Sequence, residues 1–278
     1  MIFGAHCSGG IKKAIDRATE IGADSLQLFV QSPRAWRFPD HDPADLAAFC
    51  ERRDTAALGA VLVHSLYLVN LASPEFYEKS VYTMRRTVET ACAIEADGVV
   101  LHVGSHQGAG LDAAMERVVP ALESVLELCS DTTWLLMENT AGAGGTIGRS
   151  VDELEAIFER LGRHPRLGIC LDSCHLYASA TDVTDRAQLD RLLEEIDSTF
   201  GLDRVRALHV NDSKTPLGSN RDRHDNILDG VMGEKLGVFL SHPAFQTLPA
   251  VLEVPGADGH GPNADEVRKL RELHARWA

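Results

Sequence analysis

The chain has 278 residues, 44% hydrophobic and 24% charged, with a formal net charge of −14. That composition is ordinary for a globular protein, and the length suits one (β/α)₈ barrel of roughly 250 residues or two small domains. No apolar run approaches the roughly 20 residues of a membrane span, and the start, MIFGAHCSGG, lacks the basic and apolar stretches of a secretory signal. A cytoplasmic protein is therefore expected. Taken alone, the acidic balance speaks against a nucleic-acid partner, because phosphate contacts need local positive charge.

Residues 2–6 (IFGAH) read as the first strand. A helix follows over Ile11–Gly22, with Ile11, Ala14, Ile15, Ala18 and Ile21 on one face and Gly22 as its stop. SLQLFV at 25–30 reads as the second strand, and later strands fall near 60–64, 98–103, 133–138, 167–172, 205–210 and 249–254. Helical patterns fill most gaps, over about 79–96, 112–129, 151–161, 186–199 and 265–277. Ser150 with Glu153 has the spacing of a capping box. Strands alternating with helices predict a parallel (β/α)₈ TIM barrel forming one domain over 1–278. A doubly wound open sheet is the alternative, but Gly9-Gly10 is not the G-x-G-x-x-G fingerprint such a sheet normally carries.

Six apolar runs end on a histidine or a carboxylate: AVLVHS at His64, GVVLHV at His102, WLLMEN at Glu138, LGICLD at Asp172, RALHV at His209 and AVLEV at Glu253. In a barrel these strand ends meet on one face. Such groups are costly to bury uncompensated. Coordination resolves the cost, and mixed imidazole and carboxylate donors suit zinc, manganese or iron. His175 in LDSCH, and Asp222 with His224 in a D-x-H loop, flank these strands as further candidates.

The other histidines, His41, His106, His164, His242, His260 and His274, lie mostly in loops or helices and are expected to be structural or at the surface. His6 ends a strand and is placed to line the pocket. The six cysteines form no C-x-x-C pair and are expected to be reduced, buried thiols. NTAGAGGTIG lacks the Gly-Lys-Ser/Thr ending of a nucleotide-binding P-loop and reads as a flexible loop.

In order and spacing, GAHCSGG (4–10), HSLYLVNLASP (64–74), LHVGSH (101–106), ENTAGAG (138–144), LDSCHLYASA (171–180), HVNDSKTPLGSNRDRH (209–224) and LEVPG (252–256) resemble the endonuclease IV family of apurinic/apyrimidinic endonucleases. The resemblance implies a (β/α)₈ barrel with a trinuclear zinc site, Mn²⁺ or Fe²⁺ being alternatives at one or more positions. By that resemblance His64 and His102 bind one ion and Glu138 bridges it to a second. Asp172, His209 and Glu253 complete the second site, and His175, Asp222 and His224 hold the third. Glu138 is also the implied catalytic group, orienting the nucleophile.

The implied substrate is duplex DNA with an abasic site or a blocked 3′ end. It is cut 5′ to the lesion to leave a 3′-hydroxyl and a 5′-deoxyribose phosphate. Arg34, Tyr67 and Leu68 match positions that replace lost stacking when the abasic nucleotide is flipped out. Lys214, Arg221 and Arg223 are candidate phosphate contacts. A monomer, nucleoid-associated when acting on DNA, is expected from the family. Three divalent cations would take the formal charge from −14 to about −8, with the added charge at the cleft.

The chain departs from the family pattern after His224. It reads DNILDGVMG in place of a Gly-Glu-Gly core, so Leu228 and Asp229 alter a loop expected to touch DNA. The main rival is a sugar isomerase or epimerase of the xylose-isomerase-like barrels, for which Glu138, Asp172, His209 and Glu253 alone would suffice. A metal-stabilised DNA-binding scaffold without turnover is the third reading.

Overall fold

The computed structural model describes residues 1–278. Its eight barrel strands are β1 (Ile2–His6), β2 (Ser25–Leu28), β3 (Ala60–His64), β4 (Gly98–Leu101), β5 (Trp134–Glu138), β6 (Leu167–Asp172), β7 (Val205–His209) and β10 (Pro249–Leu252). They pair in parallel around a closed ring, which β1 completes against β10 through Ile2 opposite Pro249 and Ala5 opposite Leu252. Between β7 and β10 lies a two-stranded antiparallel hairpin, β8 (Asp212–Ser213) with β9 (His224–Asp225). The expected barrel is the observed one, and the open sheet is excluded by closure.

The outer helices are α1 (Gly10–Glu20), α2 (Pro43–Thr55), α3 (Tyr77–Ala93), α4 (Leu111–Leu126), α5 (Val151–Arg160), α6 (Ser173–Ala178), α7 (Arg186–Thr199), α8 (Gly237–Leu240) and α9 (Ala264–Trp277). Sequence periodicity misses α2, α6 and α8. In α2 only Phe49 is buried, so no apolar stripe announces it, although Asp42 caps it ahead of Pro43. Ser150 caps α5 as expected, but the carboxylate of Glu153 reaches back to the amides of Gly148 and Arg149 rather than to that of Ser150. This is a wider clasp than a capping box.

A strand's side chains alternate between its two faces. The outward residues join the helices in the main core. Inside the ring, Leu62, Val100, Leu136, Cys170, Ala207 and Val251 form a separate small apolar cluster. Each of these six stands two residues before a polar strand ending: His64, His102, Glu138, Asp172, His209 and Glu253. The pleat therefore stacks the polar groups one layer above an apolar plug. His102 and Glu253 stand one residue past the observed ends of β4 and β10, where apolar character alone carries the strands on to 103 and 254.

Candidate metal centre

The same alternation places His6 and Gln27 in that upper layer, above Gly4 and Ser25. A Cβ at Gly4 would lie 2.0 Å from Ser25 Oγ, so glycine is required where β1 and β2 approach inside the barrel. All eight strands thus deliver one polar side chain to the mouth.

Glu138 sits at the centre, fully buried. Its Oε2 lies 3.3 Å from both His64 Nε2 and His102 Nε2, and its Oε1 lies 3.1 Å from His209 Nδ1. One carboxylate thus faces two groups of donors, and its Oε1 also lies 3.1 Å from His175 Nδ1. The second group adds Glu253 Oε2 at 3.2 Å and Asp172 Oδ2 at 4.0 Å from His209 Nδ1. The third is His175 and His224, whose Nε2 atoms lie 3.1 and 3.2 Å from the two oxygens of Asp222. Donor atoms of His64, His102 and Glu138, of Glu138, Asp172, His209 and Glu253, and of His175, Asp222 and His224 fall within 4.8 Å of one another in each set. Asp172 and His224 also fall together with Cys174, and His224 Nε2 lies 3.6 Å from Asp172 Oδ2, so the sets adjoin one another.

Local structure aims these side chains. Asp172 Oδ1 caps α6 by accepting the amide of His175 at 2.7 Å, which turns that helix and its histidine toward the mouth. Pairing of Ser213 with His224 brings the D-x-H segment back over the end of β7. Buried Asp212 fastens the following loop by accepting the amides of Gly230, Met232 and Gly233.

Second-layer bonds fix the rings. His64 Nδ1 donates to Ser65 O at 2.8 Å, His175 Nδ1 to Asn139 O at 3.0 Å and His224 Nδ1 to Glu253 O at 3.3 Å. Each leaves Nε2 toward the carboxylates, the arrangement expected of metal-bound histidine. Asn211 Nδ2 holds Asp172 Oδ2 at 2.6 Å while its Oδ1 accepts the amide of Glu253. Sequence reasoning misses Gln27, Asn139 and Asn211. For Gln27 a signal exists, since it stands two residues after Ser25 as each candidate ligand stands two after its apolar partner.

Cations fit this donor set. His175 Nε2 and His224 Nε2 are buried without an aligned hydrogen-bond partner, although Asp222 oxygens lie close. Both nitrogens face the Asp222 carboxylate, at 3.1 and 3.2 Å, a position that a shared cation would also satisfy. Burial opposes charge on Glu138, but His102, His209 and hydrogen bonds from His175 and His209 hold its carboxyl well below the usual range. Burial likewise opposes a proton on His224, yet Asp172 and Asp222 raise it to about 9. Burial lowers His102 and His6.

Cys174, one of the expected inert thiols, lies fully buried within 4.8 Å of donor atoms of Asp172 and His224, and burial pushes it up to about 12. All six cysteines are free, but Cys50, Cys92 and Cys129 are half-buried rather than buried.

Two open cavities flank the centre. One of about 570 Å³ is lined by His6, Gln31, Pro33, Tyr67 and Glu253, and the other of about 430 Å³ by Tyr67, Leu68, His102, His175 and Asp222. Tyr67, 59% exposed, is their common wall, and Leu68 is 41% exposed beside it. Arg34 is exposed on the loop that lines the first cavity. Lys214, Arg221 and Arg223 are exposed on and beside the β8–β9 hairpin. Lys214 lies 3.9 Å from Asp225, and Arg223 donates to the carbonyl of Asp222. In the altered loop Leu228 takes a left-handed φ of 73°, a conformation that favours glycine.

Among the other histidines, His41 and His260 line the larger cavity, while His106, His164, His242 and His274 hydrogen-bond within the scaffold. No helix is long and apolar enough to cross a membrane.

A family model described as a xylose isomerase-like TIM barrel matches residues 15–276. The chain is 37% identical over 276 residues to "Probable endonuclease 4" of Halothermothrix orenii, covering 98% of this chain and 99% of the relative. It is 38% identical over 279 residues to the protein of that name from Methanoculleus marisnigri, with the same coverage. The crystal structure of endonuclease IV from Thermus thermophilus matches with a TM-score of 0.87 at 33% identity, over 99% of this chain and 100% of that one. A D-tagatose 3-epimerase-like protein matches with a TM-score of 0.72 at 16% identity, a likeness of fold alone.

Proposed function

The chain belongs to the endonuclease IV family, AP endonuclease family 2, and from that premise we propose that it is a DNA-repair phosphodiesterase cutting duplex DNA 5′ to abasic sites. The products are a 3′-hydroxyl and a 5′-deoxyribose phosphate, and blocked 3′ ends are trimmed by the same centre. Three zinc ions, with Mn²⁺ or Fe²⁺ as substitutes, are its cofactors. It works as a monomer in the cytoplasm, on the nucleoid. The observation that carries this reading is the convergence of nine donors in three groups, with Glu138 shared between two.

In the proposed scheme His64 and His102 hold the first ion with Glu138, and Asp172, His209 and Glu253 hold the second with Glu138. His175, Asp222 and His224 hold the third. Bound divalent cations supply the chemistry a phosphodiester needs: charge neutralisation of the phosphate, a lowered pKa for water and stabilisation of the leaving oxygen. The protein's share is orientation and charge. Glu138 stays ionised among its histidines, so both oxygens remain acceptors. Although the side chain is more than half exposed, the hydroxyl of Tyr67 keeps its proton, because desolvation by the protein around it and the carboxylates of Glu253 and Glu138 raise it. A neutral ring at the cleft can take the place of a missing base, with Leu68 as wedge and Arg34 as a second stacking plane. Lys214, Arg221 and Arg223 contact phosphates along the rim.

A sugar-converting barrel uses one or two ions and has no need of the His175–Asp222–His224 group. Incision of a duplex bearing one abasic site separates the readings. A single 5′ nick that weakens at least about 100-fold in His224→Ala supports the nuclease. Intact DNA with conversion of a ketose would sink it.

A further inference from the structure

His209 differs from the other anchored histidines of the centre. His64, His175 and His224 each donate to a backbone carbonyl, whereas His209 Nε2 donates to a side chain, Gln27 Oε1, at 2.8 Å. Gln27 is fully buried, and its Nε2 donates to Glu253 Oε1 at 2.6 Å. The same nitrogen lies 3.0 Å from His6 Nδ1, which is itself 3.3 Å from Glu253 Oε1. The amide has only one workable orientation. Turned over, its oxygen would face the Glu253 carboxylate, acceptor against acceptor. Oε1 must therefore face His209, so Nε2 of that ring keeps a proton. Nδ1, which faces Glu138 and Glu253 at 3.1 and 3.2 Å, is then the nitrogen that would give up its proton to offer a lone pair to a cation.

We propose that Gln27 is a positioning residue of the second donor group, locking His209 in the tautomer that offers Nδ1 and turning Glu253 so that its Oε2 meets the same point. It touches two of the four donors of that group and none of the other two groups' own histidines. A buried amide with these contacts costs stability unless all are made, so its presence in the barrel mouth calls for a use other than packing. This inference rests on the proposed metal centre.

The test is zinc binding by Gln27→Leu and Gln27→Glu, read by competition with a chromophoric chelator, alongside the Tm of the chelator-treated chain. Partners that orient metal ligands typically contribute 10- to 100-fold in affinity. Gln27→Leu should bind two ions as the wild type does and the third about 10- to 100-fold more weakly, with kcat falling and KM for abasic DNA unmoved. Gln27→Glu keeps an acceptor for His209 but repels Glu253, and should lose affinity at the same single ion. The chelator-treated Gln27→Leu chain should still melt cooperatively, though lower than the wild type because His209 Nε2 and Glu253 Oε1 lose a partner; weakening confined to one ion, with two bound normally, is the result that a purely structural amide would not give. If Gln27→Leu does not fold, Gln27→Glu alone decides. Wild-type zinc affinity in the variants would overturn the assignment of Gln27 and leave the metal centre standing. A wild-type chain that takes up no zinc would overturn both.

Discussion

His224 shows how tightly charge is arranged at the level of single residues. Its ring is held at about 9 by Asp172 and Asp222 against the cost of burial, so it carries a proton at neutral pH before cations arrive. The sign of the consequence is fixed. A histidine whose folded value lies above its unfolded one adds stability that is fully present below about pH 6.5 and lost as pH rises through about 9. The chelator-treated chain should therefore melt at lower temperature as pH climbs from about 7 to 9, whereas the zinc-loaded chain, whose ring has given up its proton, should not. Zinc uptake at about pH 7 should release protons, and affinity should strengthen toward about pH 9. Calorimetry in buffers of different ionisation enthalpy measures the release, and uptake without it would contradict this account of His224. At this scale the sequence shows the nine donors and not their supports. A histidine or carboxylate closing an apolar run stands out, whereas Gln27, Asn139 and Asn211 are ordinary polar residues until their partners are known.

Each element is legible to the extent that burial patterns it. Parallel strands covered on both faces appear as unbroken apolar runs, which is why all eight can be read from the sequence. Four of them read too long at their C-terminal ends, because the strands stop at Leu28, Leu101, His209 and Leu252 while the apolar character resumes or continues to Val30, Val103, Val210 and Val254. α2 is invisible because one buried Phe49 makes no stripe. The β8–β9 hairpin is invisible because two-residue strands leave no period, yet it delivers His224. The β1–β2 contact yields a test at this scale. A methyl at Gly4 would meet Ser25 Oγ at 2.0 Å and Ser25 O at 2.6 Å, the latter being backbone that cannot swing aside. Gly4→Ala should destabilise the chain by about 1–3 kcal/mol. It should also spread His6 and Gln27 apart, weakening zinc binding as well as lowering Tm. Unchanged melting by calorimetry would mean that the two strands are not in this contact.

Across the whole molecule, the proposed function asks an acidic chain to bind a polyanion. Its answer would be local: the exposed basic residues Arg34, Lys214, Arg221 and Arg223 around a cleft whose proposed cations would offset part of the −14 charge. Affinity for undamaged duplex should be weak and fall steeply with salt, by up to about 0.9 in log–log slope for each phosphate neutralised. Replacing Arg221 and Arg223 together with Ala should flatten that slope by up to about 2, read by fluorescence anisotropy over a salt series. An unchanged slope would remove both from the DNA contact. The barrel itself does not decide the chemistry, since sugar epimerases share it at low identity. On the proposed reading the decision lies in the number of ions the mouth would hold. The most direct measurement reloads the chelator-treated chain stepwise with zinc and follows incision of abasic duplex against metal content in the same samples. The account predicts saturation at three ions per chain, with full 5′ incision appearing only as the third is taken up. Saturation at one or two ions, or full incision before the third, would contradict it.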